Sequence, residues 1–266
     1  LGWRGYFMDQ DAIVDMFNSN ITATSTVLTP TTWERYPVKH LKDYINEKYN
    51  EECAVNLMGH TMFEHGKYDA KVFFSKVDDA IKHGYKYIYA YYPDPDATLH
   101  GCGNYSKETS NTIKSINDNL EQLVKNNPDV LFISVADHGH IDIKLCSLDE
   151  HSDLYDTLAT PYFCEARAGM INIKKGREKE FEKLFDKYYK EHFELYSKKE
   201  IVEKQIFGYS TNYCHDYDKI LGDYLMVSKD EYTLFFENYD SSGMLSTHAG
   251  GTEREGLINI SVYNNL

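Results

Sequence analysis

The sequence predicts an α/β fold with a mostly parallel sheet, helices on both faces of that sheet, and a β-rich α+β insertion. Two observations lead to this prediction. Short apolar segments alternate with amphipathic segments through residues 38–136, as expected for a series of strand–helix–strand units. Hydrophobic residues make up 42% of the 266-residue chain, and Tyr occurs 23 times. This composition provides a sizeable core and argues against a disordered chain.

The N-terminal part of the chain is predicted to be irregular before the first helix. Residues 1–39 include a Thr-rich stretch together with Pro30 and Pro37, which interrupt any regular pattern, so we expect loops there. Residues 38–50 (VKHLKDYINEKYN) predict a helix. Residues 53–60 (CAVNLMGH) predict a short buried strand that ends in a glycine.

A helix and an aromatic strand are predicted next. Residues 71–84 predict a helix that stops at Gly84, with one apolar face formed by Phe73, Val77, Ala80 and Ile81. Residues 85–93 (YKYIYAYYP) contain enough aromatic and β-branched side chains for a strand, which Pro93 closes.

The clearest helix is predicted at residues 106–127, immediately before Pro128. Its apolar stripe is formed by Ile113, Ile116, Leu120, Leu123 and Val124. Residues 130–136 (VLFISVA) then predict a strand. Because parallel α/β sheets bind ligands at the carboxyl ends of their strands, we expect residues 93–103 and 137–142 to lie on the same rim.

The sequence changes character after about residue 150. Residues 165–175 predict a strand, residues 177–196 an amphipathic helix, residues 223–237 a hairpin, and residues 257–263 a last strand. We therefore divide the chain into a core at 1–150, an inserted cap at 151–245 and a return to the core at 246–266. The β-rich segment could equally be an antiparallel edge of the same sheet.

Charge and cysteine content limit the classes of partner. The formal net charge of −14 at pH 7 disfavours nucleic acid, because like charges repel. No apolar run approaches the ~20 residues of a membrane-spanning helix, so no membrane partner is expected. The five cysteines are odd in number and show no CxxC spacing, which favours reduced thiols and a reducing, cytoplasmic compartment.

Three separated stretches offer side chains that can ligate a metal ion. Asp96 and His100 are four residues apart, in what we predict to be a loop after a strand. Asp137 and His138 are neighbours at the end of the 130–136 strand, and they can face one ion only if the backbone turns there. His248 precedes two glycines that allow close approach of the backbone. Polar groups of this kind at the ends of core strands are costly unless they have a partner.

Carboxylate and imidazole ligands without thiolate suit Zn²⁺, Mn²⁺, Co²⁺ or Fe. Five ligands are too many for one tetrahedral zinc ion and too few for two complete sites. Two ions roughly 4 Å apart would form a clamp for displacement at phosphorus. The simpler reading is that each histidine is a surface residue or a hydrogen-bonded core residue, and what favours ligation is that all three stretches end or flank predicted strands.

Three motifs in this order resemble those of a known family. PDATLHG (95–101), SVADHGH (134–140) and STHAGGTEREG (246–256) are similar to motifs of the alkaline phosphatase superfamily. They resemble the type I phosphodiesterase/nucleotide pyrophosphatase family most closely. The intervening PYFCEARAG, FGY and GDYLMV are similar to bacterial members, so the resemblance spans most of the chain. It implies an alkaline phosphatase-like fold.

The resemblance also implies a site with two divalent metal ions, zinc first and Mn, Fe or Co as alternatives. Asp96, His100 and His248 would bind one ion, and Asp137 and His138 would help to bind the other. In the family an Asp and a nucleophilic Thr or Ser, both from a segment before this region, complete the second site. No matching residues are found here, so we expect that segment to lie upstream of Leu1.

The expected function is metal-dependent hydrolysis of a small-molecule phosphate ester or nucleotide, most simply as a phosphodiesterase or nucleotide pyrophosphatase. The alternative is a truncated or degenerate domain that binds metal or phosphate without turnover; a phosphomonoesterase, sulfatase or phosphomutase shares related metal geometry. A local threonine (Thr29, Thr31 or Thr32) is a weaker alternative nucleophile, because hydroxyls in such loops usually form turns.

Other polar residues rank lower as candidates for the site. They are His60, His65, His140, Asp142, His215, Asp216 and Arg167, the last of which is a candidate phosphate contact.

Overall fold

The computed structural model describes residues 4–35, 37–59, 69–209, 220–235 and 243–263. The chain divides into two compact units. The first unit comprises residues 1–36, 141–242 and 247–257, and the second unit comprises residues 37–140, 243–246 and 258–266. The division of the chain at residues 150 and 245 stays a prediction.

Nine α-helices and fifteen strands lie in the described residues. The helices are α1 (Thr32–Arg35), α2 (Leu41–Tyr49), α3 (Ala70–His83), α4 (Asp96–Cys102), α5 (Lys107–Asn126), α6 (Ser152–Tyr155), α7 (Glu178–Tyr188), α8 (Lys198–Glu203) and α9 (Glu253–Gly256), with a 3-10 helix at Leu148–Glu150. The strands are β1 (Arg4–Phe7), β2 (Ala12–Asp15), β3 (Asn20–Ile21), β4 (Ala54–Met58), β5 (Tyr87–Tyr91), β6 (Phe132–Val135), β7 (Ile141–Asp142), β8 (Lys144–Cys146), β9 (Phe163–Cys164), β10 (Ala168–Ile171), β11 (Phe193–Ser197), β12 (Tyr224–Ser228), β13 (Tyr232–Leu234), β14 (Ser246–Thr247) and β15 (Ile260–Tyr263).

The first unit is built on a seven-stranded antiparallel sheet in the order β11-β12-β10-β9-β1-β2-β3. Helix α7 buries Phe181 and Phe185 in a cluster with Ile171, Phe193 and Met226 from the sheet strands. These five side chains are at most 3% exposed. Burying an aromatic side chain of this kind stabilises the fold by roughly 1.5–3 kcal/mol, so this cluster is the main core of the unit.

The prediction of loops over residues 1–39 is wrong for β1, β2 and β3. These strands form two antiparallel pairs, and Arg4 of β1 also pairs with Cys164 of β9. Strands of two to four residues are too short to show an alternating pattern. Strand β9, the second partner of β1, lies about 160 residues away in sequence, so no local signal points to the pairing of β1 with β9.

Two predictions for the insertion also need correction. The predicted helix at 177–196 ends at Tyr188, and residues 193–197 form β11. The predicted hairpin at 223–237 contains strands β12 and β13, but these two strands do not pair with each other. Both edges of β12 are hydrogen-bonded, to β10 and to β11, and β13 instead pairs in parallel with β8.

The second unit contains the strand–helix alternation that the sequence predicts. Strands β4 and β5 pair in parallel over five residues each, helix α3 packs against both strands, and helix α5 packs against α3. Phe73, Val77 and Leu123 form the buried centre of this packing. The Asp69 side chain caps α3, the Ser106 side chain caps α5, and Gly84 ends α3 with φ +98°. The predictions for α2, β4, α3, β5 and α5 are confirmed.

Strand β6 pairs antiparallel with β15. The described part of this α/β chain therefore contains both parallel and antiparallel strand pairs. Ile260 lies opposite Val135, and Val262 lies opposite Ile133. Since alternate residues of a strand share a face, these four side chains lie on one face, and each is 60–62% exposed. We call this surface the β6–β15 face.

Within the described ranges, no helix combines the length and the apolar composition that crossing a membrane requires. The described cysteines form no disulfide. Burial raises the pKa of the Cys146 thiol to about 12 and that of the Cys164 thiol to about 11, so neither is prepared to act as a thiolate nucleophile.

Candidate metal centre

Asp96 and His100 lie one turn apart on the short helix α4. The predicted loop at residues 93–103 is therefore wrong. The helix forms because the Asp94 carboxylate accepts hydrogen bonds from the main chain and hydroxyl of Thr98, and Pro95 stands at the helix start. Side chains at i and i+4 share a helix face, and the His100 Nε2 to Asp96 Oδ1 distance is 3.4 Å.

His140, which the sequence ranks low, lies beside this pair. Its Nε2 atom is 2.7 Å from Asp96 Oδ1, and its ring is 4.7 Å from the His100 ring at an angle of 74°. The side chain is 4% exposed. Ligand atoms of Asp96, His100 and His140 all lie within 4.8 Å of one another. The signal that could have identified His140 is its place in the DHGH segment after the predicted strand, two residues beyond His138.

Ser246, which the sequence does not single out, contacts both histidines. His100 Nδ1 lies 2.8 Å from the Ser246 carbonyl oxygen, and His140 Nδ1 lies 2.8 Å from Ser246 Oγ. The Oγ atom also donates to the carbonyl oxygen of Leu99 at 2.8 Å. Ser246 is completely buried. Its main chain and its hydroxyl therefore fix both rings with their Nε2 atoms directed at Asp96.

The electrostatics of the two rings differ. Burial lowers the pKa of His100, but the hydrogen bond and charge of Asp96 outweigh it, so the pKa is raised. For His140 burial dominates and the pKa is lowered despite Asp96. Two imidazoles and one carboxylate, without thiolate, are a donor set that suits Zn²⁺, Mn²⁺, Co²⁺ or Fe²⁺. The residues present therefore fit a divalent metal ion.

Asp137 and His138 follow β6 where the chain leaves the regular strand. His138 Nε2 is 3.7 Å from Asp137 Oδ1 and 3.9 Å from Asp96 Oδ1. His138 Nδ1 lies 3.0 Å from the carbonyl oxygen of Gly139. The structure thus places His138 near Asp96, and Asp137 beside it with a side chain that is 62% exposed. That both residues ligate a metal ion stays a prediction.

His248 begins the loop that leads to α9 in the first unit, two residues after Ser246 in the sequence. The loop continues through Ala249 at φ +75° and Gly250, where a Cβ atom would lie 2.7 Å from the Arg167 guanidinium. Gly250 N–H donates to Glu255 Oε1 at 2.7 Å. Only glycine leaves room for this approach. That His248 ligates a metal ion stays a prediction.

The suggestion that Arg167 contacts phosphate is wrong. Arg167 is fully buried and donates through Nε and Nη2 to the two carboxylate oxygens of Glu255, at 2.6 and 2.9 Å. Its remaining contacts are the carbonyl oxygens of Tyr232 and Asp230, at 2.9 and 2.6 Å. The guanidinium is thus committed to the interior of the first unit.

The Glu255 carboxylate should make the stability of the chain depend on pH. Burial raises the pKa of Glu255, but hydrogen bonds from Arg167 and Thr252 outweigh it and lower the pKa below its ordinary value. Because the folded state has the lower pKa, this stabilisation is complete above the unfolded pKa of about 4.3 and is lost as pH falls through the folded pKa. We expect the free energy of unfolding to fall less from neutral to acidic pH in Glu255→Gln than in the unchanged chain. Chemical unfolding at the two pH values measures this, and equal decreases in the two proteins would contradict the prediction.

Two of the three alternative threonine nucleophiles, Thr31 and Thr32, use their hydroxyls in hydrogen bonds within the first unit. Thr32 Oγ1 donates to the Met16 carbonyl oxygen at 2.5 Å, and Thr31 Oγ1 donates to Glu34 Oε2 at 2.8 Å. The Thr31 contact joins the residue before α1 to Glu34 within that helix, and the Thr32 contact joins α1 to a main-chain oxygen 16 residues earlier in the sequence. His60, His65, His215 and Asp216 lie outside the described residues.

Comparisons with known proteins agree with the resemblance of the motifs. The sequence model of a family described as type I phosphodiesterase / nucleotide pyrophosphatase matches residues 3–252. No relative was found among curated proteins. The structure is similar to that of murine ectonucleotide pyrophosphatase / phosphodiesterase 5, with a TM-score of 0.62 and 16% identity, over 83% of this chain and 62% of that chain.

Two related structures show the same likeness. An inactive variant of the murine protein in complex with AMP gives a TM-score of 0.60 at 17% identity, and the human protein gives 0.59 at 17% identity. Each match covers 84% of this chain and 63% of the other. At this identity the likeness shows the fold alone, and it confirms the predicted α/β fold. The chain spans less than two thirds of the length of these proteins.

Proposed function

Because the chain belongs to the type I phosphodiesterase / nucleotide pyrophosphatase family, we propose that this protein is a metal-dependent hydrolase of phosphate esters. The observation that carries the proposal is the convergence of Asp96 and His100 on one point, with the Asp96 Oδ1 to His100 Nε2 distance at 3.4 Å. A carboxylate and an imidazole held this close, in a protein of net charge −14, supply a site for a cation.

Two divalent ions, with zinc as the first candidate, are part of the proposal. Asp96, His100 and His248 would hold one ion, and Asp137 and His138 would contribute to the other. The closeness of His138 to Asp96, 3.9 Å between Nε2 and Oδ1, supports two neighbouring ions. When bound, such ions stabilise negative charge on phosphoryl oxygens and lower the pKa of an attacking oxygen.

The protein orients the proposed ligands Asp96 and His100 through hydrogen bonds and helix geometry. The Ser246 carbonyl oxygen accepts from Nδ1 of His100, so the proton of the neutral ring lies on Nδ1 and Nε2 offers its lone pair to the site. The helix α4 keeps Asp96 on the same side as His100. Both ligands are therefore oriented before any substrate arrives, which reduces the reorganisation that binding requires.

A nucleotide is the proposed substrate class, as a phosphodiester or a nucleotide pyrophosphate. The support is that the inactive variant of the murine relative was solved in complex with AMP. The negative charge of this chain also favours a substrate whose phosphate is met by bound cations rather than by basic side chains.

The test is an assay of the full-length protein with bis-p-nitrophenyl phosphate and Zn²⁺ or Mn²⁺. We expect turnover that disappears with a chelator, returns with the metal, and falls strongly in Asp137→Asn. His83→Asn, at an exposed histidine whose ring lies 4.8 Å from that of Tyr85, is the control and should behave as the unchanged protein. Absence of metal-dependent turnover, with Asp137→Asn indistinguishable from the control, would count decisively against the proposal.

A further inference from the structure

The hydrogen bonds of Ser246 determine which nitrogen of His140 carries a proton. The Ser246 hydroxyl has one proton and lies 2.8 Å from the Leu99 carbonyl oxygen, which can only accept. The Ser246 hydroxyl therefore donates its proton to the Leu99 carbonyl oxygen. In the 2.8 Å contact between Ser246 Oγ and His140 Nδ1, the hydroxyl oxygen is then the acceptor, so Nδ1 carries the proton of the ring. In the neutral ring, Nε2 then presents a lone pair.

That lone pair is directed at a group that also accepts. His140 Nε2 lies 2.7 Å from Asp96 Oδ1, and an ionised carboxylate has no proton to donate. Two acceptors at this distance repel each other unless a cation is shared between them. The geometry of this contact thus calls for a positive charge next to His140 and Asp96.

His100 repeats the arrangement on the same carboxylate. Its Nδ1 proton is directed to the Ser246 carbonyl oxygen, and its Nε2 lies 3.4 Å from the same Oδ1 atom. Ligand atoms of His100, His140 and Asp96 thus converge, all within 4.8 Å of one another. One divalent ion can accept both lone pairs, and two histidines with one carboxylate are a common three-ligand set.

We propose that His140 is a direct ligand of the ion that Asp96 and His100 bind. This inference rests on the proposed function, because it takes the metal site as its starting point. It adds a ligand to the five residues that the motif resemblance implies. It also means that the second unit contributes three ligands from its own side chains, with Ser246 orienting the two histidines.

The experiment is a titration of the metal-free chain with Co²⁺, following visible absorption and binding heat, for the unchanged protein and for His140→Asn. Asparagine places its amide nitrogen near the position of Nδ1, so it can keep the hydrogen bond to Ser246, but it has no atom at the position of Nε2. The matched control is His83→Asn on α3 in the same unit. Far-UV circular dichroism establishes that each variant is folded.

We expect His140→Asn to lose more affinity than the roughly 10–100-fold that removal of an outer-shell partner costs, and to show altered positions and intensities of the visible bands. An unchanged band pattern in His140→Asn, at any affinity, overturns the inference, because the ligand set is then the same. The control should match the unchanged protein in both respects.

A second measurement needs no substitution. Imidazole ¹⁵N NMR of the unchanged chain should show the Nε2 resonance of His140 moving on addition of Zn²⁺ while Nδ1 stays protonated. An Nε2 resonance that does not move overturns the inference.

Failure of the proposed function gives a different result in these experiments. An unchanged chain that binds neither Co²⁺ nor Zn²⁺ contradicts the metal site as a whole, whereas a chain that binds both ions without involving His140 contradicts only the ligand assignment.

Discussion

Replacing Arg167 with methionine is expected to lower the free energy of unfolding by about 3–5 kcal/mol, the cost of breaking a buried ion pair on one side. The side chains of Arg167 and Glu255 are 0% and 2% exposed, and the guanidinium makes two parallel hydrogen bonds to the carboxylate. Methionine keeps much of the volume but leaves the Glu255 carboxylate buried without its cation. Chemical unfolding in urea, with the slope and midpoint compared between variants, measures the change.

The matched control for this prediction is Arg177→Met. Arg177 pairs with Glu180 in a solvent-accessible position, with side chains 34% and 49% exposed, and it also donates to the carbonyl oxygen of Asp156. Solvent-accessible pairs contribute about 0–1 kcal/mol, so this variant should lose much less stability than Arg167→Met does. The double variant Arg167→Met/Glu255→Met should recover part of the lost stability, because no buried charge then remains unpaired. Similar losses for Arg167→Met and Arg177→Met would contradict the role assigned to the buried pair.

Asp96→Asn is expected to reduce Zn²⁺ or Co²⁺ affinity by more than about 100-fold, the upper end of what losing an outer-shell contact costs. The carboxylate is the shared neighbour of both histidines, with Oδ1 at 3.4 Å from His100 Nε2 and 2.7 Å from His140 Nε2. An amide of the same shape removes the negative charge that holds a cation there. Competition between the chain and a chromophoric chelator measures the affinity.

The control for Asp96 is Asp118→Asn on α5 of the same unit. Asp118 pairs with Lys114 on the exposed side of that helix, with its side chain 54% exposed. Its replacement should leave metal affinity unchanged. If Asp96→Asn binds Zn²⁺ as tightly as Asp118→Asn does, the carboxylate is not a ligand and the proposed site is wrong.

Helices with a strong apolar stripe are predictable from the sequence, and short elements are not. Helices α3 and α5 have repeated apolar residues, capping side chains and a glycine or proline near the end, so local chemistry determines them. Helix α4 has only seven residues and contains Gly101, and its formation depends on the Asp94 carboxylate capping Thr98. Strand β13 can be located from its composition, but its partner β8 cannot, because pairing depends on which edges are already occupied.

The candidate site is partly predictable for similar reasons. The spacing of Asp96 and His100, together with the motifs around them, indicates ligation from the sequence alone. The sequence ranks His140 low because the motif resemblance assigns a role to His138 and none to the histidine two residues later. Ser246 contacts the site through its main-chain oxygen as well as its hydroxyl. Every residue type has a main-chain oxygen, so the sequence does not indicate this contact. The Arg167–Glu255 pair joins residues 88 apart, which no local pattern indicates.

The β6–β15 face has a consequence for how the chain behaves in solution. Four branched aliphatic side chains share one water-facing surface, and covering each of them completely would release up to roughly 1.5–3 kcal/mol. The net charge of −14 opposes the approach of two such molecules at low ionic strength. Salt shortens the range of that repulsion from about 10 Å at 0.1 M to about 3 Å at 1 M while leaving the aliphatic attraction in place. We therefore expect the purified chain to self-associate more readily as the ionic strength rises, and to stay dispersed in buffers of low ionic strength.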